Sequence, residues 1–455
     1  MDYSTQTRTQ LLALCKERNF KGYYAKKKDE LVQLLKIVAA PTAPAPTSAP
    51  APTNVIVDAE PAAAAPVQDN SKFRSESIQL NSELSKETRH AQGIYFTPKL
   101  QRDRLFEVLE AHGVRPKTVL EPSFGSGEFI HDSFTRWNNA HVTGVEFNQT
   151  IYSKFKSPQN CTAVCDDFLA YNSPIKFDCI IGNPPYFVTN AKNPECMTGR
   201  GNIFVQFIYK CLKDHLAENG VLAFILPTSF YNCSYYDPCR KYMSTNNTIL
   251  HVENMDGGFY DTAQDTMLLV VKNQLPTTTT PPPYYLLHRG FSYITPHASV
   301  LQTMLSGSTT IAELGLAVKT GDVVWNQHKG SLSNTEGVVI VYSSNIVNNG
   351  LVLDNFKAGG EKKQLIVGFA RPACVGPALC INRGYGNKFT LNFVRIPDGM
   401  TFYGENHINV VTGAVEALTR LENSLRDPRT ADFIRHFVGN GALSKTELES
   451  LLPVF

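Results

Sequence analysis

The chain has no Cys-x-x-Cys pair; its ten cysteines are scattered, which argues against a zinc ribbon or a dense disulfide scaffold and reads them as reduced packing residues. No apolar run is long enough to span a bilayer, and Met1-Asp2-Tyr3-Ser4 opens without the basic-then-apolar pattern of a secretory signal. An intracellular protein of the cytoplasm or nucleus, without membrane contact, is therefore expected. Nor is one sign of charge in excess, since the formal net charge of +2 does not by itself announce a nucleic-acid partner. What is present is 455 residues with 42% hydrophobic content, enough for two sizeable domains and a small module.

Four short apolar runs carry the chemistry. Thr118-Val119-Leu120-Glu121-Pro122 reads as a buried strand, followed by Ser123-Phe124-Gly125-Ser126-Gly127-Glu128-Phe129 and a segment able to continue as helix. The two glycines would let main chain approach a ligand closely, although the G-x-G-x-x-G pattern is not completed. About twenty residues on, His141 to Glu146 forms a second strand ending in a carboxylate, placed to accept the hydroxyls of a ribose. Thr162-Ala163-Val164-Cys165 then runs into Asp166-Asp167-Phe168, where a carboxylate suits an adenine amino group and the ring suits its face. Each acid has a plainer reading, as a solvated strand-end charge or a turn cap. Their order along the chain describes a nucleoside pocket at the carboxyl edge of an open sheet.

The fourth run, Phe177-Asp178-Cys179-Ile180-Ile181-Gly182, ends in Asn183-Pro184-Pro185-Tyr186. Asn and Pro are ordinary punctuation after a strand, but the string also meets a chemical need. An exocyclic or amide nitrogen is a poor nucleophile because its lone pair is delocalised. The Asn183 side-chain oxygen and the Pro184 carbonyl can each accept one N–H and turn the lone pair toward an electrophile, while the prolines keep the loop stiff.

With these motifs in sequence, the chain resembles the amino-group DNA methyltransferases that use S-adenosylmethionine, in the gamma arrangement of the TaqI-like adenine-N6 enzymes. The resemblance covers roughly residues 90 to 275. Gly93-Ile94-Tyr95-Phe96-Thr97-Pro98 resembles the leading motif, and Gly220 to Pro227 a later core strand. The resemblance implies that Thr97 helps hold the cofactor's methionine carboxylate, that Glu121, Phe124, Gly125 and Gly127 form the cofactor loop, that Glu146 binds the ribose, and that Asp167 and Phe168 bind the adenine. It further implies that Asn183 and Pro184 orient the target amine and that Tyr186 and Phe259 sandwich a flipped adenine, with Tyr260 adjacent as a substitute. Double-stranded DNA is the implied partner, with no metal, and one pocket per target base favours a monomer. The fold expected is α/β: a Rossmann-like seven-stranded methyltransferase sheet, a C-terminal α+β target-recognition domain and a small N-terminal helical module.

The flanks fit this plan. Residues 1–38 carry two short amphipathic helical patterns with Lys26, Lys27 and Lys28 beside Tyr23 and Tyr24, resembling a SAP-type DNA-binding module, in which such lysines meet phosphates. Such a module would suit a large DNA virus or a eukaryotic setting. Residues 39–85, rich in Ala-Pro dipeptides, are expected as a disordered linker, 86–275 as the catalytic domain, 276–283 as a Thr/Pro link, and 284–455 as the recognition domain. In that last part strands are expected at 338–342 and 364–369, helices at 413–426 and 445–452, and DNA contacts from Lys319, Arg371, Arg383 and Lys388. Three alternatives stay open: a methyltransferase acting on protein glutamine-N5, one acting on RNA guanine-N2, or a non-catalytic DNA-binding relative. A fused restriction nuclease finds too little room in the roughly ninety residues before the leading motif.

Overall fold

The computed structural model describes residues 72–455 apart from 191–192, 257–258, 260–263, 278–282, 357–359, 385–388 and 438–441. The expected N-terminal module with Lys26, Lys27 and Lys28 lies outside the described residues, as do Tyr260, Lys388 and most of the Thr/Pro link. No helix among the described residues is long and apolar enough to cross a membrane.

The first half, expected as the catalytic domain, is built on seven strands: β1 (Thr118–Glu121), β2 (His141–Glu146), β3 (Cys161–Cys165), β4 (Phe177–Gly182), β5 (Leu216–Pro227), β6 (Thr248–Met255) and β7 (Thr266–Lys272), in the order β3-β2-β1-β4-β5-β7-β6. Neighbours run parallel except at β7, which is antiparallel to both β5 and β6. Because side chains alternate across a strand, each strand feeds two cores. Leu120, Ile180, Leu222, Phe224 and Leu226 enter one layer with Phe168, Phe204 and Ile208. Val119, Cys179, Ile181, Ala223 and Ile225 enter the other with Phe106, Phe129 and Trp137. Burial on both faces explains why these runs read as continuous apolar strings, each large side chain contributing about 1.5–3 kcal/mol. The strand order reverses between β1 and β4, which is where a doubly wound sheet opens a crevice at its carboxyl edge. Glu121 ends one of these strands, and Asn183 follows the other.

The stretch through residue 85, expected as linker, is corrected: Ser75–Glu83 is a helix. Leu80 packs with Phe96 and Ile151, and the buried Ser77 hydroxyl meets both Ser126 Oγ, at 2.8 Å, and the Glu128 carboxylate. Glu128 is also bound by Arg102, which reaches Asp132 at 2.7 Å. A polar composition concealed this helix because its contacts lie about fifty residues away in sequence.

Residues 284–455 form the second half. A four-stranded sheet, ordered Ala317–Thr320, Ile408–Thr412, Ala378–Asn382, Phe393–Ile396, is antiparallel throughout, and helices Val415–Arg426 and Pro428–Phe437 cover it with Leu418, Leu421 and Phe433. Helices appear near both predicted places, Val415–Arg426 and Lys445–Ser450, and a strand at Val338–Val341. The expected strand at 364–369 shrinks to Leu365–Ile366. Gln364 is turned inward to bond Asn345 at 3.1 Å, and Gly368 bends the chain at φ +65°.

The Thr/Pro link is not where the packing divides. The hairpin beyond it, Tyr285–His288 with Phe291–Ile294, is docked on the catalytic half. The buried Arg240 guanidinium donates to the Ser292 carbonyl at 2.7 Å and the Phe230 carbonyl at 3.1 Å, while Asp237 accepts the Ser292 amide at 2.7 Å.

Candidate active site

Three adjoining cavities open at the carboxyl ends of β1, β2 and β4. The first, about 330 Å³, is lined by Gly125, Glu146, Asp167, Phe168 and Asn183 among others, a size within the roughly 300–1,000 Å³ of small-molecule sites. A narrow cleft of about 30 Å³ lies between Thr97, Glu121, Phe124 and Asn183. A third, about 80 Å³, is walled by Tyr95, Tyr186, Phe259 and Gln264. Asn183 faces the first two and Tyr95 all three.

The Asn183 amide is held from both ends. Its Nδ2 donates to Thr97 Oγ1 at 3.1 Å, and its Oδ1 accepts the Tyr186 hydroxyl. That same hydroxyl also lies 2.7 Å from the Ile225 carbonyl on β5. With one proton it can serve only one acceptor at a time, so donation to Ile225 frees the Asn183 oxygen for another donor. Burial pushes the Tyr186 phenol pKa well above its ordinary value, which keeps this proton in place. The Tyr186 ring meets Phe204 edge-on at 5.9 Å, and Phe259 lies edge-on to Tyr95 at 6.5 Å.

Thr97, expected at a methionine carboxylate, thus has a direct bond to Asn183. The glycine loop also differs in detail from its expected use. A Cβ on Gly127 would lie 2.2 Å from the Phe155 ring, so glycine there is required by packing and by φ +79°. Gly125, at φ +55°, has nothing closer than Phe96 at 3.8 Å and lines the large cavity. Phe124 is buried, with its ring on Phe155 at 4.6 Å. Phe168 is likewise buried, backed by Phe207 at 4.9 Å.

The acids are fixed in different ways. Glu146 accepts the amides of Gly125 at 2.9 Å and Asn148 at 2.7 Å. Burial nevertheless raises its pKa, and Glu146 lines the large cavity. Asp167 accepts the Leu169 amide at 2.9 Å in a tight turn. Glu121, 2% exposed, has one carboxylate oxygen without a hydrogen-bond partner among the described residues. Its burial, with the like charges of Glu146, Glu128 and Asp132, drives its pKa well up. A buried carboxylate with one oxygen lacking a partner among the described residues, at the wall of a cleft, suits a cationic ligand group. The set fits S-adenosylmethionine: Glu121 for its positive end, Gly125 main chain along its length, Glu146 for ribose hydroxyls, and Asp167 with Phe168 for adenine.

Sequence reasoning missed several wall residues. Phe147 is 66% exposed yet lines the large cavity; an aromatic directly after the strand-end acid was the available signal. Tyr95, Phe187 and Phe207 were not singled out. Gly93 caps the helix Lys86–Gln92 at φ +65°, and a Cβ there would lie 2.8 Å from the Tyr186 amide nitrogen. Gly93→Ala is expected to cost roughly 1–3 kcal/mol of stability from left-handed strain and displacement of the catalytic loop. Gly113→Ala, at φ +71° with nothing within 4 Å, carries the strain alone. Urea unfolding of both variants checks the difference, and equal losses would remove the loop contact from this account.

Of the candidate DNA contacts, Lys319 and Arg371 both pair with Asp322. The Arg383 guanidinium donates to the Asn406 carbonyl at 2.9 Å, holding the turn at 405–407.

Residues 104–259 match the family model described as Eco57I restriction-modification methylase. Modification methylase CviBIII of Paramecium bursaria Chlorella virus NC1A is 33% identical over 384 residues, 82% of this chain and 96% of the relative. Type II methyltransferase M.CvrRI of Paramecium bursaria Chlorella virus XZ-6E is 28% identical over 84% of this chain and 99% of its own length. Among solved structures, the type IIG restriction endonuclease BpuSI aligns over 79% of this chain and 59% of its own, at 11% identity and a TM-score of 0.38. By its end-to-end likeness to the CviBIII enzyme, the chain belongs to the family of restriction-modification DNA methyltransferases.

Proposed function

We propose that this DNA methyltransferase is a site-specific adenine-N6 enzyme that uses S-adenosylmethionine and acts on a base rotated out of duplex DNA. One observation carries the reading: Asn183 lines both the large cavity and the narrow cleft, and Tyr186, three residues on, walls a separate aromatic cavity with Tyr95 and Phe259. When bound, S-adenosylmethionine supplies an electrophilic methyl group on a sulfonium. Glu121, Glu146, Asp167 and Phe168 would hold it in the two cavities that Asn183 shares.

Tyr186 and Phe259 would take up the stacking that a flipped adenine loses on leaving the duplex. The adenine N6 amine would donate one proton to Asn183 Oδ1 and one to the Pro184 carbonyl, so that its lone pair points toward the cofactor side. For this the Tyr186 hydroxyl turns to the Ile225 carbonyl, 2.7 Å away. Thr97 keeps the Asn183 amide from rotating. Positioning is the main contribution, and no covalent enzyme intermediate is required.

Phe147 would cover one face of the cofactor adenine. Because its side chain is largely exposed, Phe147→Ala is expected to leave the fold intact and weaken cofactor binding about tenfold, on the scale of one lost aromatic stacking contact. Titration calorimetry with S-adenosylmethionine checks this, and unchanged affinity would remove Phe147 from the site.

The reading as a whole is tested by expressing the chain in a methylation-deficient bacterium and mapping modified bases by single-molecule sequencing. N6-methyladenine in one short motif is expected. An unmodified genome from folded, cofactor-binding protein would contradict it and move the reading to RNA or protein amides.

A further inference from the structure

Strands Ala317–Thr320 and Ala378–Asn382 of the second half end at one edge of their sheet, where Ile408–Thr412 begins. The loops of that edge are tied to each other and to the catalytic half. Val323 takes the Asn406 amide at 2.9 Å, the Arg383 amide donates to His407 at 2.9 Å, and the Leu443 amide donates to Arg383 at 2.7 Å. Four residues beyond Leu443, Glu447 accepts Asn232 Nδ2 at 3.0 Å. Asn232 follows the end of β5, whose Ile225 carbonyl meets Tyr186. This edge is therefore anchored beside the carboxyl ends of the catalytic strands, where a flipped base would arrive.

Asp322 sits on that edge with its side chain 9% exposed and its two oxygens divided between Lys319 and Arg371. Arg371, by contrast, is 65% exposed. Its backbone is set, since the Tyr403 hydroxyl donates to its carbonyl at 2.9 Å and Phe369, two residues before, packs on the Tyr403 ring at 5.0 Å. As a stabilising device the pair is weak, because exposed ion pairs contribute about 0–1 kcal/mol. As a recognition device it is well made. Arginine carries five donors in a rigid fork, and a carboxylate that binds one arm fixes the plane in which the others point. Two such parallel donors match guanine O6 and N7 in the major groove, and also the paired oxygens of a phosphate. A recessed carboxylate directly behind the guanidinium also disfavours close approach of a phosphate, which would meet its charge.

We infer that Arg371, braced by Asp322, reads a guanine in the DNA recognition sequence, an inference that rests on the reading of this chain as a site-specific DNA methyltransferase.

The full chain and its Arg371→Ala and Asp322→Asn variants are compared by motif mapping in the methylation-deficient bacterium, and by initial rates on duplexes altered at each position of the wild-type motif. Both variants should bind S-adenosylmethionine like the wild type, since neither touches the cofactor cavities. Arg371→Ala is expected to lower the rate on the wild-type motif by roughly tenfold to a hundredfold and to accept substitution at one G·C pair that the wild type rejects. Asp322→Asn should relax the same pair, and only that pair. An unchanged motif and rate in Arg371→Ala would overturn the inference. So would a uniform fall across all sequences with a shallower salt dependence, which marks a phosphate contact, or a wild-type motif with no G·C pair. A wild type that methylates no DNA would remove the functional reading along with it.

Discussion

Asn183→Ala is expected to reduce turnover by at least about a hundredfold, the scale seen when one preorganised polar contact to a reacting group is removed. Cofactor affinity should fall far less, because Asn183 shares the two cavities with Glu121, Glu146 and Asp167 but those acids, and not Asn183, are the groups assigned to hold the cofactor. The size of the effect follows from how firmly the amide is held. Thr97 fixes its nitrogen at 3.1 Å, which assigns the oxygen to the opposite side, toward the Tyr186 hydroxyl. A free asparagine would have to find this orientation at each turnover, whereas this one starts in it. Single-turnover rates on methylation-free duplex DNA measure the chemical step directly. Turnover within a few fold of wild type would remove Asn183 from the mechanism.

Glu121→Gln is expected to make the cofactor-free protein more stable and the cofactor-bound protein less so. In the free protein the Glu121 carboxylate is buried, has one oxygen without a partner, and faces Glu146, Glu128 and Asp132. Burial and these charges raise its pKa well above the ordinary carboxylate value, with Arg102 opposing. A raised folded pKa means that the folded state holds this proton more tightly than the unfolded chain. The stability it confers is complete below the ordinary carboxylate pKa and is lost as pH rises through the raised value. At neutral pH the free protein thus carries an ionisation penalty that glutamine does not, and its melting temperature should rise by a few degrees in the variant. A bound cation offsets the penalty in the wild type, so the variant should lose roughly tenfold to a hundredfold in S-adenosylmethionine affinity, the worth of a charge-assisted contact. Wild-type affinity should also weaken as pH falls through the raised pKa, and that dependence should flatten in the variant. Thermal melts with and without cofactor check both arms; a variant that loses stability in the free state and binds normally would contradict them.

The strands of the seven-stranded sheet, with the candidate site residues at their ends, were legible in the sequence because their signals are local. An apolar run ending in Asn183-Pro184-Pro185-Tyr186, and strand-end acids at Glu121, Glu146 and Asp167, each announce themselves within a few residues. What was not legible depends on contacts distant in the chain. Gly93 reads as part of a leading motif, but its close approach is to the Tyr186 backbone, which no window of sequence displays. Ser77 looks like linker until Glu128 and Ser126 are seen to receive it. In the second half Val339 pairs with Phe402 and Leu332 with Ile366, and strands of two residues carry almost no periodic signal. Arg383 reads in the sequence as a candidate DNA contact, and its main-chain acceptor, the Asn406 carbonyl, belongs to a turn formed only when the sheet assembles.

The central claim, that Asn183 presents an adenine amine, is tested most directly by the chemical identity of the product. Purified protein would be incubated with methyl-labelled S-adenosylmethionine and methylation-free duplex DNA, and the DNA digested to nucleosides for mass spectrometry. Label is expected in N6-methyldeoxyadenosine alone, and none with Asn183→Ala. Label in a cytosine or guanine nucleoside, or transfer only to RNA or protein glutamine in parallel reactions, would contradict it.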